Sequence, residues 1–169
     1  MEKLKVLGVS KSFDGESVIQ DIYIELQEGE LVSLLGISGG GKTTLFNVIA
    51  GLSLPDQGQV LLDGRDITGR PGNVSYMLQK DLLLPYRTIV DNVALPLLIK
   101  GAGKMEAREK ASAYFGQFGL EGTEMKYPGQ LSGGMRQRAA LLRTYLFSAD
   151  VALLDEPFSA LDMLTKGAV

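Results

Sequence analysis

Apolar positions along this chain follow two rhythms, one short and alternating, the other helical. From Leu4 to Leu26 short apolar runs break at Asp14-Gly15 and again at Glu28-Gly29, which predicts a β-hairpin or small antiparallel sheet. Leu31-Val32-Ser33-Leu34-Leu35 is continuous and predicts a buried strand. Leu45, Val48 and Ile49 then recur at helical spacing until Gly51-Leu52-Ser53-Leu54-Pro55 stops the helix. Gln59-Val60-Leu61-Leu62 before Asp63-Gly64 predicts a strand and turn, and Val74-Ser75-Tyr76-Met77-Leu78 a further strand. Between Thr88 and Phe118 the rhythm is helical, through Ile89, Val93 and Leu97, then Ala107, Ala111, Tyr114 and Phe118. Gly101-Ala102-Gly103 separates the two helices of that stretch. Another helix is predicted over residues 133–147, and Val151-Ala152-Leu153-Leu154 reads as a fully buried strand ending at Asp155-Glu156-Pro157. There is no internal repeat or low-complexity segment. The pattern describes one α/β domain over residues 1–169, with an inserted helical subdomain at about 88–147.

Composition narrows this picture mainly by exclusion. The chain has 169 residues, 45% of them hydrophobic and 22% charged, enough for one domain with a sizeable core. A net charge of −3 gives no broad basic face, so nucleic acid is not an expected partner. The absence of cysteine excludes disulfides and thiolate metal sites. The longest apolar stretch, near Val93 to Ile99, is too short for a bilayer and contains Pro96, and Met1-Glu2-Lys3-Leu4-Lys5 lacks the core of a signal peptide. A cytoplasmic location is expected, with any membrane attachment supplied by a partner.

Two motifs add chemistry. Gly36-Ile37-Ser38-Gly39-Gly40-Gly41-Lys42-Thr43-Thr44 fits the loop that wraps phosphates, placed between a predicted strand and a predicted helix. Glycines let backbone N–H groups approach an anion where side chains would collide, and the first helical turn adds unpaired donors and the positive end of its dipole. Lys42 can reach the β- and γ-phosphates, and Thr43 offers a hydroxyl to Mg²⁺. Asp155-Glu156, at the end of an apolar strand, places two carboxylates at a sheet edge. Asp155 is the expected Mg²⁺ partner, and Glu156 the group that orients and deprotonates the attacking water. Adjacent strand residues point to opposite sides, which suits two separate tasks.

Leu131-Ser132-Gly133-Gly134-Met135-Arg136-Gln137-Arg138 is the most specific stretch, and it resembles the signature of ABC-type ATPases. The other family motifs stand in family order: the P-loop, Gln79 at the Q-loop position, the signature, Asp155-Glu156, and Ser159-Ala160-Leu161-Asp162 at the D-loop position. Phe13 stands where the family carries an aromatic that stacks on adenine. The resemblance implies a P-loop NTPase sheet flanked by helices, with an N-terminal antiparallel part and an inserted helical subdomain. It implies ATP and Mg²⁺ as cofactors, with Gln79 sensing Mg²⁺ and the γ-phosphate. It further implies a head-to-tail dimer in which Ser132, Gly133 and Gly134 of one subunit meet ATP on the P-loop of the other. Transmembrane permease subunits and a solute-binding protein complete the implied assembly, with residues 80–86 pressing on a permease helix. Leu82-Leu83-Leu84-Pro85-Tyr86, then residues 88–95, is similar to importers of nitrate, sulfonate or taurine type. A soluble ABC ATPase of repair or translation is the alternative within the family. The repair type has a long coiled coil between P-loop and signature, and the translation type has two such domains in one chain.

The resemblance also sets an expectation of incompleteness. The family continues past the D-loop through a strand ending in a histidine that contacts the γ-phosphate, and this sequence has no histidine. In the family fold that strand lies beside the P-loop strand. A central strand burying four apolar side chains contributes roughly 6–12 kcal/mol, comparable with the whole stability of a domain, about 5–15 kcal/mol. The 169-residue chain alone is therefore expected to fold poorly or aggregate, and a truncated, hydrolysis-deficient nucleotide-binding fragment is the alternative function.

Overall fold

The computed structural model describes residues 2–37 and 39–157, so Ser38 and the D-loop stretch from Ser159 to Asp162 lie outside the described residues. The chain divides into two compact units. The first takes Met1–Ser75 and Ala149–Asp155, and the second takes the central stretch Tyr76–Ser148 and continues from Glu156.

In the first unit β1 (Glu2–Phe13) and β2 (Glu16–Gln27) form an antiparallel hairpin. Asp14 (φ 50°) and Gly15 (φ 83°) are both left-handed, the backbone that a two-residue hairpin turn demands. β3 (Gln57–Leu62) pairs antiparallel on the other side of β1, and β4 (Arg65–Asp66) follows, giving the order β2-β1-β3-β4. Register sets Val6 opposite Val60 on one side and Ile24 on the other. Val6, Val9 and Val60 are fully enclosed, so one face of the sheet is apolar core. α1 (Lys42–Ile49) buries Leu45, Val48 and Ile49, then closes with the N–H groups of Gly51 and Leu52 on the carbonyls of Val48 and Asn47. Ser75, the first residue of β5 (Ser75–Met77), donates its N–H to the carbonyl of Val151, just before β6 (Ala152–Leu154), at 2.9 Å.

Two strand expectations are corrected here. Residues 31–35 form no strand, and Leu31 (89% exposed) and Leu35 (95%) point into solvent. A strand is stable only with a ladder partner for its N–H and C=O groups, and among the described residues none pairs with this run. β6 is not fully buried either: Leu153 is enclosed, but Ala152 and Leu154 are exposed. The alternation is that of a strand covered on one face.

The second unit is helical: α2 (Ile89–Val93), α3 (Leu95–Ile99), α4 (Lys104–Ser112), a 3-10 turn at Pro128–Gln130, and α5 (Gly133–Phe147). Thr88 caps α2 by accepting the Asp91 N–H. Ala94 divides α2 from α3, with Pro96 in the first turn of α3, where its missing N–H costs little. Tyr114 and Phe118 continue the helical apolar rhythm but lie in the turns beyond α4, which ends at Ser112. The core joins Ile89, Val93, Ala107, Phe115, Leu120 and Leu142, all essentially inaccessible. Each large side chain of this kind contributes about 1.5–3 kcal/mol by leaving water.

Candidate functional site

The first unit carries the glycine loop. Gly41 has φ 80°, and a Cβ there would lie 2.7 Å from Ile19 Cγ2 and 2.9 Å from the Val18 carbonyl, so only glycine fits. A Cβ at Gly40 would stand 3.0 Å from the Ile37 carbonyl, which accepts the Gly40 N–H at 3.1 Å. Lys42 opens α1 and folds back, its Nζ donating to the carbonyls of Gly36 and Ile37, each at 2.8 Å. No side chain caps α1 and its first turn holds no acidic residue, so the helix start keeps donors and positive potential for an anion. Thr44 follows in that first turn, after Thr43.

Thr43 Oγ1 donates to Asp155 Oδ2 at 2.7 Å, and Asp155 is buried, 4% exposed. A threonine hydroxyl and a carboxylate side by side are hard oxygen donors of the kind Mg²⁺ takes. Among the described residues no group of three or more His, Cys, Asp or Glu could hold a metal. The pair fits an ion that draws its remaining ligands from phosphate and water, as Mg²⁺ in nucleotide sites does. At the end of β1, Phe13 is half exposed, with Lys11 Nζ 5.4 Å from its ring centroid. The ring offers apolar area to a flat partner.

The second unit holds the remaining predicted residues. Gln79 Nε2 donates to Glu156 Oε2 at 2.8 Å, and Gln137 Nε2 donates to the Glu156 carbonyl at 3.2 Å. Glu156 sits at φ 49°, a conformation that L-residues adopt at a cost, here with its side chain and carbonyl both tied. Ser132 caps α5, its Oγ accepting the Met135 N–H at 3.3 Å. A Cβ at Gly133 or Gly134 would meet nothing nearer than 3.9 Å and 3.7 Å, so the chain itself does not demand glycine there, in contrast to Gly41. Gly133 also borders a cavity of about 480 Å³ shared with Gln79, Lys80, Asp81, Leu82 and Arg136.

Four polar residues at this end were not among the predicted site residues. Arg136 pairs with Asp81 at 3.1 Å, and Arg143 donates to the carbonyls of Asp81 and Leu82 at 2.6 and 2.9 Å. Burial pulls the Arg143 guanidinium below its ordinary value, with Asp81 opposing. Asn92 is fully buried and bonds to the backbone of Leu84, Arg87 and Thr88, while buried Gln137 holds Glu156. A polar residue inside an apolar helical run, as at Asn92, is the signal that could have marked it. Farther off, the Arg108 guanidinium forks onto Asp91, both contacts 2.7 Å, and holds that carboxyl below its usual range, with desolvation opposing.

Fold and site define an α/β chain with a glycine loop running into an uncapped helix start, and a second glycine-rich helix start at α5. Residues 19–159 match the family profile described as ABC transporter, and the chain belongs to that family. It is 49% identical over 166 residues to the formylaminopyrimidine import ATP-binding protein ThiZ of Halalkalibacterium halodurans, covering 98% of this chain and 64% of that protein. The taurine import ATP-binding protein TauB of Pseudomonas aeruginosa is 41% identical over 170 residues, with coverage of 98% and 65%. The chain thus spans just under two thirds of these relatives' length. Among solved structures, the dimeric ATP-binding cassette MJ0796 in a post-hydrolysis state with ADP and Pi matches at TM-score 0.84 and 30% identity, covering 93% of this chain and 75% of that one. The family assignment and the importer resemblance drawn from residues 82–95 agree with these relatives. Among the described residues no helix is long and apolar enough to cross a membrane.

Proposed function

We propose that this chain is the ATP-binding subunit of an ABC import system, binding MgATP and hydrolysing it at a head-to-tail dimer interface. The observation that carries the reading is the first unit's site: a glycine that only glycine can be, Lys42 at an uncapped helix start, and the Thr43–Asp155 contact. Backbone N–H groups and Lys42 would bind the phosphates, Thr43 and Asp155 would hold Mg²⁺, and Phe13 would stack on the base. Bound Mg²⁺ supplies charge neutralisation of the phosphates. Glu156 would accept a proton from the attacking water, oriented by the Gln79 amide that already meets its carboxylate. Gly133 and Gly134, free of internal steric demand, suit close approach by a ligand from outside the chain, as a second subunit's nucleotide would be.

Permease subunits at the inner face of the cell membrane, and a solute-binding protein, are the partners in this reading. Relatives named as import ATP-binding proteins support the direction of transport. The test is steady-state MgATP hydrolysis by the wild type and Glu156→Gln. Loss of the base should slow turnover by about 10²–10⁴-fold with nucleotide binding retained. Equal turnover would remove Glu156 from the role. A hydrolysis-deficient nucleotide-binding chain is the second reading, favoured by the exposed run at residues 31–35 directly before the glycine loop. Binding with no turnover in the wild type would select it.

A further inference from the structure

We propose that Arg143 is a positioning residue, assisted by Arg136, that locks the loop after Gln79 to α5 and thereby sets the Gln79–Glu156 contact. The proposal rests on the reading of Gln79 and Glu156 as the hydrolytic pair. α5 begins at the signature glycines, and Arg136 and Arg143 stand two helical turns apart on one face. From that face Arg143 Nη2 and Nη1 grip the Asp81 and Leu82 carbonyls, while Arg136 Nε takes the Asp81 carboxylate at 3.1 Å. Arg136 is itself held by the Leu131 carbonyl at 2.9 Å, at the foot of the signature.

The loop needs such a grip. Leu82 has φ 46°, which is unfavourable for a branched residue, and its side chain is 53% exposed, so apolar burial does little to hold it there. At the far end of the loop, Asn92 Oδ1 accepts the Leu84 N–H at 2.6 Å and its Nδ2 donates to the carbonyls of Leu84, Arg87 and Thr88. With both ends fixed, Gln79, two residues before Asp81, has its amide aimed at Glu156. A movement of α5 would therefore reach the Gln79 amide through the guanidinium fork. Lysine offers a single ammonium on a flexible stem and cannot reproduce two fixed donors.

The test compares wild type, Arg143→Met and Arg143→Lys by hydrogen exchange of the nucleotide-free chain, together with ATPase kinetics. Arg143→Met is expected to speed exchange at residues 79–86 by about fivefold or more, with wild-type protection kept in α4 and around Phe115. Arg143→Lys should recover only part of the loop's protection. In hydrolysis, kcat should fall by about tenfold at unchanged KM for ATP, and Arg143→Met should add nothing in a Gln79→Ala background. Unchanged exchange in the loop, or protection lost throughout the helical unit, would overturn the proposal. So would additive losses in the double variant. A wild type that hydrolyses no ATP would defeat the functional reading alone, since loop exchange still decides the tether.

Discussion

Residues 31–37 and residues 82–93 are both short stretches rich in apolar residues, yet they fare oppositely. In the first, Leu31, Leu35 and Ile37 are more than four-fifths exposed. In the second, Leu83, Ile89, Val90 and Val93 are buried, while Leu82, Pro85 and Tyr86 stand out. The difference lies in what each stretch can find nearby. Helices α2 to α5 make much of their backbone bonding internally, with the first two N–H groups of α2 turning to the carbonyls of Lys126 and Glu124, and their apolar faces pack on neighbours in the same unit. An extended strand makes none of its ladder hydrogen bonds within itself, so all of them must come from an adjacent strand. Apolar character alone therefore buries a helix more readily than a strand.

The largest effect that tests this contrast comes from the helical core. Phe115→Ala should lower stability by about 3–5 kcal/mol, read as a large fall in thermal midpoint, whereas Leu35→Ala should change it by less than about 0.5 kcal/mol. If Leu35→Ala proved as damaging, residues 31–37 would be packed in solution and the contrast would collapse. Next is Asn92→Leu, which leaves the Leu84 N–H and three carbonyls without that partner. A loss of about 1–3 kcal/mol by denaturant titration is expected, and a neutral result would mean that α2 does not fasten the loop.

The smallest effect is electrostatic. Arg108 depresses the Asp91 pKa in the folded chain, so the pair's contribution is present above the unfolded carboxylate value and is lost as pH falls through the folded one. Asp91→Asn should cost about 1 kcal/mol near neutral pH. The gap from wild type should narrow as pH falls below the ordinary carboxylate range. A gap independent of pH would trace the loss to the hydrogen bond that the Thr88 hydroxyl donates to Asp91 Oδ2 instead.

Much of this architecture is legible along the chain because the signals are local. Asp14-Gly15 encodes its own turn, Ser132 its own cap, and the spacing through residues 133–147 its own helix. The P-loop glycines are equally legible from their motif, and at Gly41 the steric demand comes from Val18 and Ile19 of the same unit. What resisted reading depends on partners far away in sequence. Whether residues 31–35 become a strand is decided by another strand, not by their own composition. The inward turn of Arg136 and Arg143 is likewise invisible in sequence, where arginines on a helix most often face water. Only the loop some 60 residues upstream gives them another destination, the Asp81 and Leu82 carbonyls for Arg143 and the Asp81 carboxylate for Arg136.

The central claim is that the loop ending at Lys42 is a MgATP site, and equilibrium binding of a fluorescent ATP analogue tests it most directly. Saturable binding that strengthens with Mg²⁺ is expected. Lys42→Ala should weaken it at least about tenfold, and Thr43→Ala should remove the Mg²⁺ dependence. Binding by Lys42→Ala as tight as the wild type, with the same response to Mg²⁺, would contradict the account.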